Sequence, residues 1–203
     1  MSGPSLRPGV GAAAFGAAIA ACTLLLAGCG HSGNSDNVKH LSGPNIDIAV
    51  TIPTGWHRVI DSNDLDIPEM VSPITCSGDG EVNCATGLAR LATFAAPTAA
   101  AAAQTVQRAV TTSPGVHLGE TTKEGPGTID HRNGYRLRFS FSNPAAELVS
   151  EVAAVPTGSA SPDAQGNHKF SVVLVWVSDA PGAPKPDVID RIVGSVLVVG
   201  HQS

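Results

Sequence analysis

Apolar and polar residues alternate along several stretches of the chain, which is the pattern of a β-strand with one buried face. In residues 46–52 every second position is isoleucine or valine. Residues 135–142 alternate in the same way. The side chains predicted there to face the core are Tyr135, Leu137, Phe139 and Phe141. Residues 170–177 are apolar almost throughout, which predicts a strand that is covered on both faces.

Three further stretches indicate strands. Residues 57–60 follow a turn at residues 53–56 and can pair with the strand before that turn. Residues 147–155 predict another strand. Residues 87–96 read GLARLATFAA, which we interpret as a strand, although the pattern also permits a helix.

Two helices are predicted. Thr98 can cap a helix over the alanine-rich residues 99–110, and the Pro-Gly pair at residues 114–115 would end it. Near the C-terminus, apolar residues recur at helical spacing and predict a helix that lies on the sheet. These residues are Val188, Ile189, Ile192, Val193, Val196 and Leu197. Pro186 suits the first turn of this helix and Gly200 its end.

The order of these elements predicts the architecture. Asn133-Gly134 is a hairpin signal before the strand at residues 135–142, and the polar residues 156–167 predict a long connection. The expected order is strand, turn, strand, helix, three antiparallel strands and a final helix. We therefore predict an α+β fold, an antiparallel β-sheet flanked by helices, as a single domain over residues 44–200.

The first 28 residues have the features of an export signal. Arg7 supplies positive charge, and residues 10–27 are uncharged and mostly small or apolar. Residues 26–29, Leu-Ala-Gly-Cys, close this run and resemble the bacterial lipobox. The resemblance implies cleavage before Cys29, a diacylglyceryl group on its thiol and acylation of the new amino terminus. Two alternatives stay open: Cys22 ends a second match to the motif, and the run can instead be an uncleaved anchor helix.

Residues 29–43 are predicted to be a lipidated, flexible tether. Residues 30–43, GHSGNSDNVKHLSG, have almost nothing to bury. One acyl chain holds a protein to a bilayer only marginally, whereas two or three hold it firmly. We therefore expect the lipid on Cys29 to attach the exported protein to the outer face of the cell membrane.

Two further cysteines, Cys76 and Cys84, bracket the sequence CSGDGEVNC. In the oxidising environment outside the cell membrane, these thiols are expected to form a disulfide. A metal site is the alternative. Two thiols at this spacing are not a zinc site, and the acidic residues at 79–81 do not fit a calcium loop. We expect a disulfide and no metal.

Charge and motifs limit the range of functions. The 203 residues carry a formal net charge of −5, which argues against nucleic acid as a partner. The seven histidines are interpreted as solvated, since no two are spaced as metal ligands on a helix. The sequence has no nucleophile-elbow serine and no phosphate-binding loop. We predict no catalytic residue and no cofactor, although a site assembled by the fold stays open.

Three arginines form a candidate patch for an anion or a partner. Arg136 and Arg138 lie on the predicted outward face of one strand, and Arg132 lies in the adjoining turn. Together they are suited to a carboxylate, a phosphate headgroup or an acidic partner. The alternative is a solvated sheet face or cross-strand pairing with Glu147 or Glu151.

Residues 48–56, IAVTIPTGW, resemble the opening of the actinobacterial, mycobacterial-type LpqN/LpqT-like lipoproteins. The Asn-Gly hairpin signal, the strand that contains Trp176 and the helix at residues 187–193 are similar to the same layout. The resemblance implies a PsbP/Mog1-like fold, in which an antiparallel sheet lies between helices, and an envelope-attached accessory or binding role. It supplies no catalytic residues, and Cys76 and Cys84 match no pattern of the family.

The leading hypothesis is a membrane-anchored envelope lipoprotein whose domain binds a protein or an envelope component without catalysis. A carrier of lipid or glycolipid is the alternative. Such a carrier needs an apolar cavity of several hundred Å³, lined by side chains such as Leu137, Phe139 and Trp176. A hydrolase is the third hypothesis, and it would hold a Ser or Asp against a His in a cleft.

Overall fold

The computed structural model of the protein describes residues 40–43, 46–59, 69–71, 85–158 and 161–199. Ten strands and two helices lie in these ranges. In chain order they are β1 His40–Leu41, β2 Ile48–Thr51, β3 His57–Val59, β4 Glu69–Val71, β5 Gly87–Ala96, α1 Ala99–Thr111, β6 His117–Ile129, β7 Arg132–Asn143, β8 Ala146–Pro156, β9 His168–Ser178, α2 Asp187–Gly194 and β10 Leu197–Val198.

The strands form two antiparallel sheets. Seven strands make the large sheet in the order β3-β4-β5-β9-β8-β7-β6, so that β6 forms one edge. The small sheet has the order β1-β2-β10, with β2 in the centre. The expectation of a strand over residues 87–96 is confirmed, because β5 pairs with β9 along its whole length.

Helix α1 covers one face of the large sheet. The side chain of Thr98 caps its start, since the Thr98 Oγ1 accepts a hydrogen bond from the Ala101 N–H at 3.1 Å. The core on this side includes Ala102, Ala103, Val106, Val110, Leu137, Phe139 and Phe141. The alternation predicted for residues 135–142 is therefore confirmed, with the apolar positions of β7 under α1.

Helix α2 and the small sheet cover the opposite face. The core on this side includes Ile48, Val50, Trp56, Val173, Val175, Val177, Val188, Ile189, Ile192 and Val193. The alternate residues of β9, Val172 and Leu174, belong to the core under α1. Strand β9 is thus covered on both faces, as its continuous apolar run predicts. The α+β prediction, an antiparallel sheet flanked by helices, is confirmed.

The hairpin between β6 and β7 turns earlier than predicted. Its turn residues are Asp130 and His131, with φ angles of 44° and 61°, and two positive φ values are what a type I′ turn requires. Asn133 and Gly134 lie inside β7 instead. The prediction was wrong because aspartate also tolerates positive φ. The Asp130 Oδ2 is held by the Val198 N–H at 2.7 Å.

Strand β6 has no counterpart among the predicted elements, which include only three antiparallel strands after α1. Of its 13 residues only Ile129 is buried, so the strand lacks the apolar alternation that predicts a strand from sequence. Its position at a sheet edge also accommodates Pro126, which has no N–H to donate to a neighbouring strand.

The C-terminal helix is shorter than predicted. Helix α2 ends at Gly194, and the next residues turn back to pair with β2 as β10. Val196 is still buried, but Leu197 is half exposed. The burial expected from the helical spacing fails at Leu197, because this residue pairs with β2 as part of a strand. Gly200, the predicted end, lies outside the described residues.

The packed domain includes residues that we interpret as tether from the sequence. Strand β1 lies within the predicted tether of residues 29–43, and Leu41 is only 1% exposed. Its side chain packs in the core beneath α2 and the small sheet. Residues 29–39 lie outside the described residues.

Candidate functional site

Three predicted site residues lie outside the described residues. They are Cys29, the predicted lipidation site, and the Cys76 and Cys84 pair, the predicted disulfide. These assignments stay predictions. The arginines of the predicted patch are all described, and the structure separates them into two groups.

The first group is held by the register of β7 and β8. Arg138 lies directly opposite Glu151, and Arg136 lies opposite the next residue on that face, Ala153. Cross-strand neighbours point their side chains to the same side of a sheet. Both arginines therefore reach the single carboxylate of Glu151, on the side of the sheet that carries α2.

Glu151 is the buried centre of this group, with no exposed side-chain surface. The Arg136 Nε donates a hydrogen bond to the Glu151 Oε1. The Arg138 Nε lies 2.9 Å from the Glu151 Oε2, but its N–H is not aimed at that oxygen, so the contact is an ion pair without a hydrogen bond. A buried carboxylate needs such partners, since removing one partner of a buried pair destabilises a protein by about 3–5 kcal/mol.

Helix α2 adds a second carboxylate to the two guanidiniums. The Asp190 Oδ1 lies 2.9 Å from the Arg138 Nη2 and 3.7 Å from the Arg136 Nη2. The Asp190 side chain is 53% exposed, whereas the arginine side chains are about one-fifth exposed. We call Arg136, Arg138, Glu151 and Asp190 the arginine cluster. Its two positive and two negative charges balance.

The second group is Arg132 by itself. Its Nη1 donates a hydrogen bond to the Pro156 carbonyl oxygen at 3.1 Å, where β8 ends. Arg132 thus ties the start of β7 to the end of β8, while Arg136 and Arg138 contact carboxylates. The structure brings Arg136 and Arg138 together and places Arg132 in another environment.

The alternation of β7 predicted the shared face of the two arginines, and Glu151 was one of two proposed partners. Glu147, the other one, lies opposite Ser142, beyond the cluster. Asp190 was missed because the sequence does not fix where a helix docks on a sheet. The available signal was an acidic residue in the first turn of α2, beside the buried Ile189.

The surface beside the cluster is open on the β6 side. Lys123 lies opposite Arg138 in the register of β6 and β7, and Gly125 lies opposite Arg136. A Cβ added to Gly125 would meet no atom within 4 Å. Because α2 lies over β8 and β9, this part of the sheet face is left to the solvent.

On the α1 side of the sheet, Tyr135 is linked to Glu124. The Tyr135 hydroxyl donates to the Glu124 Oε1 at 2.9 Å, and the Gln104 Nε2 donates to the same oxygen at 3.1 Å. Desolvation, and then the hydrogen bond and negative charge of Glu124, raise the pKa of Tyr135 above its ordinary value. A neutral phenol is thus favoured there, as expected of a positioning contact between β6 and α1.

A shallow pocket of about 350 Å³ lies at the loop before β9 and is lined by Asp163, Asn167, His168 and Lys169, among others. The Asp163 Oδ1 accepts hydrogen bonds from the Asn167 and Gln165 N–H groups, at 2.8 and 2.9 Å. The hydrogen bond from Asn167 is the main cause of a lowered pKa of Asp163. The carboxylate is therefore engaged in holding its own loop.

The residues that a lipid carrier would use are packed against the helix. Leu137 and Phe139 are buried under α1, and Trp176 is half buried beside the same core. The 350 Å³ pocket is lined by other residues. Among the described residues, no group of three or more His, Cys, Asp or Glu side chains is placed to hold a metal ion.

Within the described ranges, no helix has the length and apolar character needed to cross a bilayer. No family model matches the chain. No curated protein matches it either.

The fold itself is similar to solved structures. PsbP (CyanoP) from Synechocystis sp. PCC 6803 is 13% identical with a TM-score of 0.50, and the match covers 85% of this chain and 98% of that one. LpqN of Mycobacterium tuberculosis, described as involved in cell envelope biogenesis, is 14% identical with a TM-score of 0.46, covering 75% of this chain and 83% of LpqN. The likeness shows a PsbP-like fold.

A third structure, a protein from Bacteroides thetaiotaomicron VPI-5482, is 10% identical with a TM-score of 0.47. The match covers 83% of this chain and 51% of that protein, so this chain spans about half the length of the Bacteroides protein. At these identities the similarities concern the fold and carry no activity over.

Proposed function

We propose that this protein is a cell-envelope lipoprotein, held on the outer face of the membrane by lipid on Cys29, and that its PsbP-like domain is a non-catalytic binding module. The observation that carries the proposal is the lipobox-like Leu-Ala-Gly-Cys at residues 26–29, placed at the end of an uncharged apolar run. Membership in the LpqN/LpqT-like lipoproteins is part of the proposal and is supported by residues 48–56.

The binding role is supported by the surface around the arginine cluster. The side chains of Arg136 and Arg138 are about one-fifth exposed and lie beside an open part of β6, where Lys123 adds a further positive charge. Guanidinium groups recognise carboxylates and phosphates through paired N–H donors. The lipid-carrier alternative has less support, because Leu137 and Phe139 are covered by α1.

Metabolic labelling with palmitate tests the anchor. In cells that export the full chain, the Cys29→Ser variant should lose the label and the membrane association together. Cys22→Ser is the matched control, since it changes the same atom in the competing motif. It should keep both properties. Label that persists in Cys29→Ser and disappears in Cys22→Ser would contradict the proposal.

In-cell photocrosslinking tests the binding role. A crosslinking residue at Lys123 lies beside the arginine cluster, and one at Arg108 lies on the exposed side of α1, on the other face of the sheet. A partner captured from position 123 and not from position 108 supports binding through this surface. Recovery of copies of the protein alone from both positions would count against the binding role.

A further inference from the structure

The two carboxylates of the arginine cluster are held differently. Glu151 belongs to β8, between β7 and β9, and its side chain is fully buried. Asp190 reaches the guanidiniums from a short helix on the solvent side and is half exposed. The first carboxylate is part of the core, and the second can be exchanged by a change of one side-chain rotamer.

Asp190 also pairs with Arg138 without a well-aligned hydrogen bond. Its Oδ1 lies 2.9 Å from the Arg138 Nη2, yet in the described part of the chain neither the Nε nor the Nη2 of Arg138 has a hydrogen bond of good geometry. A buried donor that lacks an acceptor destabilises the arrangement that holds it. The charges are therefore paired, while the Nε and Nη2 donors of Arg138 make no well-aligned hydrogen bond.

We propose that Arg136 and Arg138 form a binding site for an oxyanion, a carboxylate or phosphate group of the ligand, and that Asp190 is an internal competitor that this ligand displaces. The inference rests on the proposed binding function and names its ligand chemistry. Glu151 acts as a positioning residue that holds both guanidiniums in place. A ligand oxyanion enters over the open surface at Gly125, next to Lys123.

The test compares two aspartate variants of the purified full chain. Asp190→Asn removes the competing charge, whereas Asp187→Asn makes the same change three residues earlier in α2. The Asp187 carboxylate pairs with Arg191 at the exposed surface, 3.6 Å away. The side chains of Asp187 and Asp190 are both more than half exposed, so both variants should fold. The probes are inorganic phosphate and acetate, followed by NMR of the arginine Nε–H groups.

Asp190→Asn should bind one of the probes about tenfold more tightly than the unsubstituted protein, as expected when one charge-assisted contact stops competing. The shifted signals should be those of Arg136 and Arg138. A stronger response to phosphate assigns a phosphate ligand, and a stronger response to acetate assigns a carboxylate ligand. Asp187→Asn should leave the affinity unchanged.

Equal gains in both variants would show a general effect of net charge and would overturn the inference, as would no gain in Asp190→Asn. These outcomes do not involve Cys29 or the crosslinked partner. A protein that captures a partner from position 123 but shows no competition by Asp190 retains the proposed function and loses this inference. If Cys29 is not lipidated but Asp190→Asn binds a probe tenfold more tightly, the anchor proposal is lost and this inference is retained.

Discussion

Gly134 allows the sharpest test of the packing, because the space around its Cα is already filled. A Cβ at this position would lie 2.6 Å from the Ile129 Cδ1 and 2.7 Å from the Ala154 carbonyl oxygen. Restoring an ordinary contact of 3.4 Å needs movements of about 0.8 Å for the Ile129 Cδ1 and about 0.7 Å for the carbonyl oxygen. The isoleucine can give way in part, but the carbonyl belongs to the backbone of a central strand.

The expected effect of Gly134→Ala is a loss of stability. Overpacking of this kind destabilises a core by about 1–3 kcal/mol, and alanine in a strand recovers about 0.5–1 kcal/mol relative to glycine. The net loss should be about 1–2 kcal/mol. Gly125→Ala is the matched control in the paired strand, where the added Cβ meets no atom within 4 Å. This variant should be stabilised by about 0.5 kcal/mol.

Equilibrium unfolding in urea measures both variants. With a slope of about 1–3 kcal/mol per molar urea, Gly134→Ala should unfold at a clearly lower urea concentration than the unsubstituted protein, and Gly125→Ala at a slightly higher one. Adding Ile129→Val to Gly134→Ala should recover part of the loss, because it removes one of the two close atoms. Equal stabilities for the two alanine variants would refute the reasoning.

Three further predictions concern single contacts. Thr98→Ala should lower the free energy of unfolding by about 1 kcal/mol, since α1 loses its capping oxygen, and Thr98→Ser should restore it in thermal unfolding. Tyr135 is the only tyrosine, so ultraviolet absorbance should report its ionisation above pH 10.0, and Glu124→Gln should lower this pKa while burial keeps it raised. The Asp163 carboxyl should titrate below its ordinary pKa of 3.8 in NMR, with the Asn167 amide shifting at the same midpoint. The loop hydrogen bonds are thus present at neutral pH and are lost as the pH falls through that lowered pKa.

The parts of the fold that sequence predicts are those where burial imposes a period. The alternation in β7 and the continuous apolar run in β9 both follow from which faces are covered. Strand β6 was not predicted because an edge strand with only Ile129 buried has no alternation of apolar and polar residues. After the end of α2, Leu197, the last residue of the helical spacing, pairs with β2 instead.

The residues of the candidate site that lie on strands could be predicted from the sequence, whereas the one on a helix could not. The two arginines and one of their possible partners lie on strands, where register follows from short connections. Asp190 lies on a helix, and its distance from Arg138 depends on how α2 docks across the sheet, which no local pattern encodes. The role of Gly134 was also hidden, because Asn-Gly signals a turn and gives no sign of close packing against β8.

The point at which the chain enters the domain has a mechanical consequence. The first strand in the described part of the chain is β1, which is held to β2 by two residue pairs. The central strands of the large sheet are joined by nine or ten pairs each. Tension applied from the N-terminal side therefore peels β1 away first. Separation of β1 lengthens the extended part of the chain by a few residues. The large sheet is then loaded only after β1 has separated from β2.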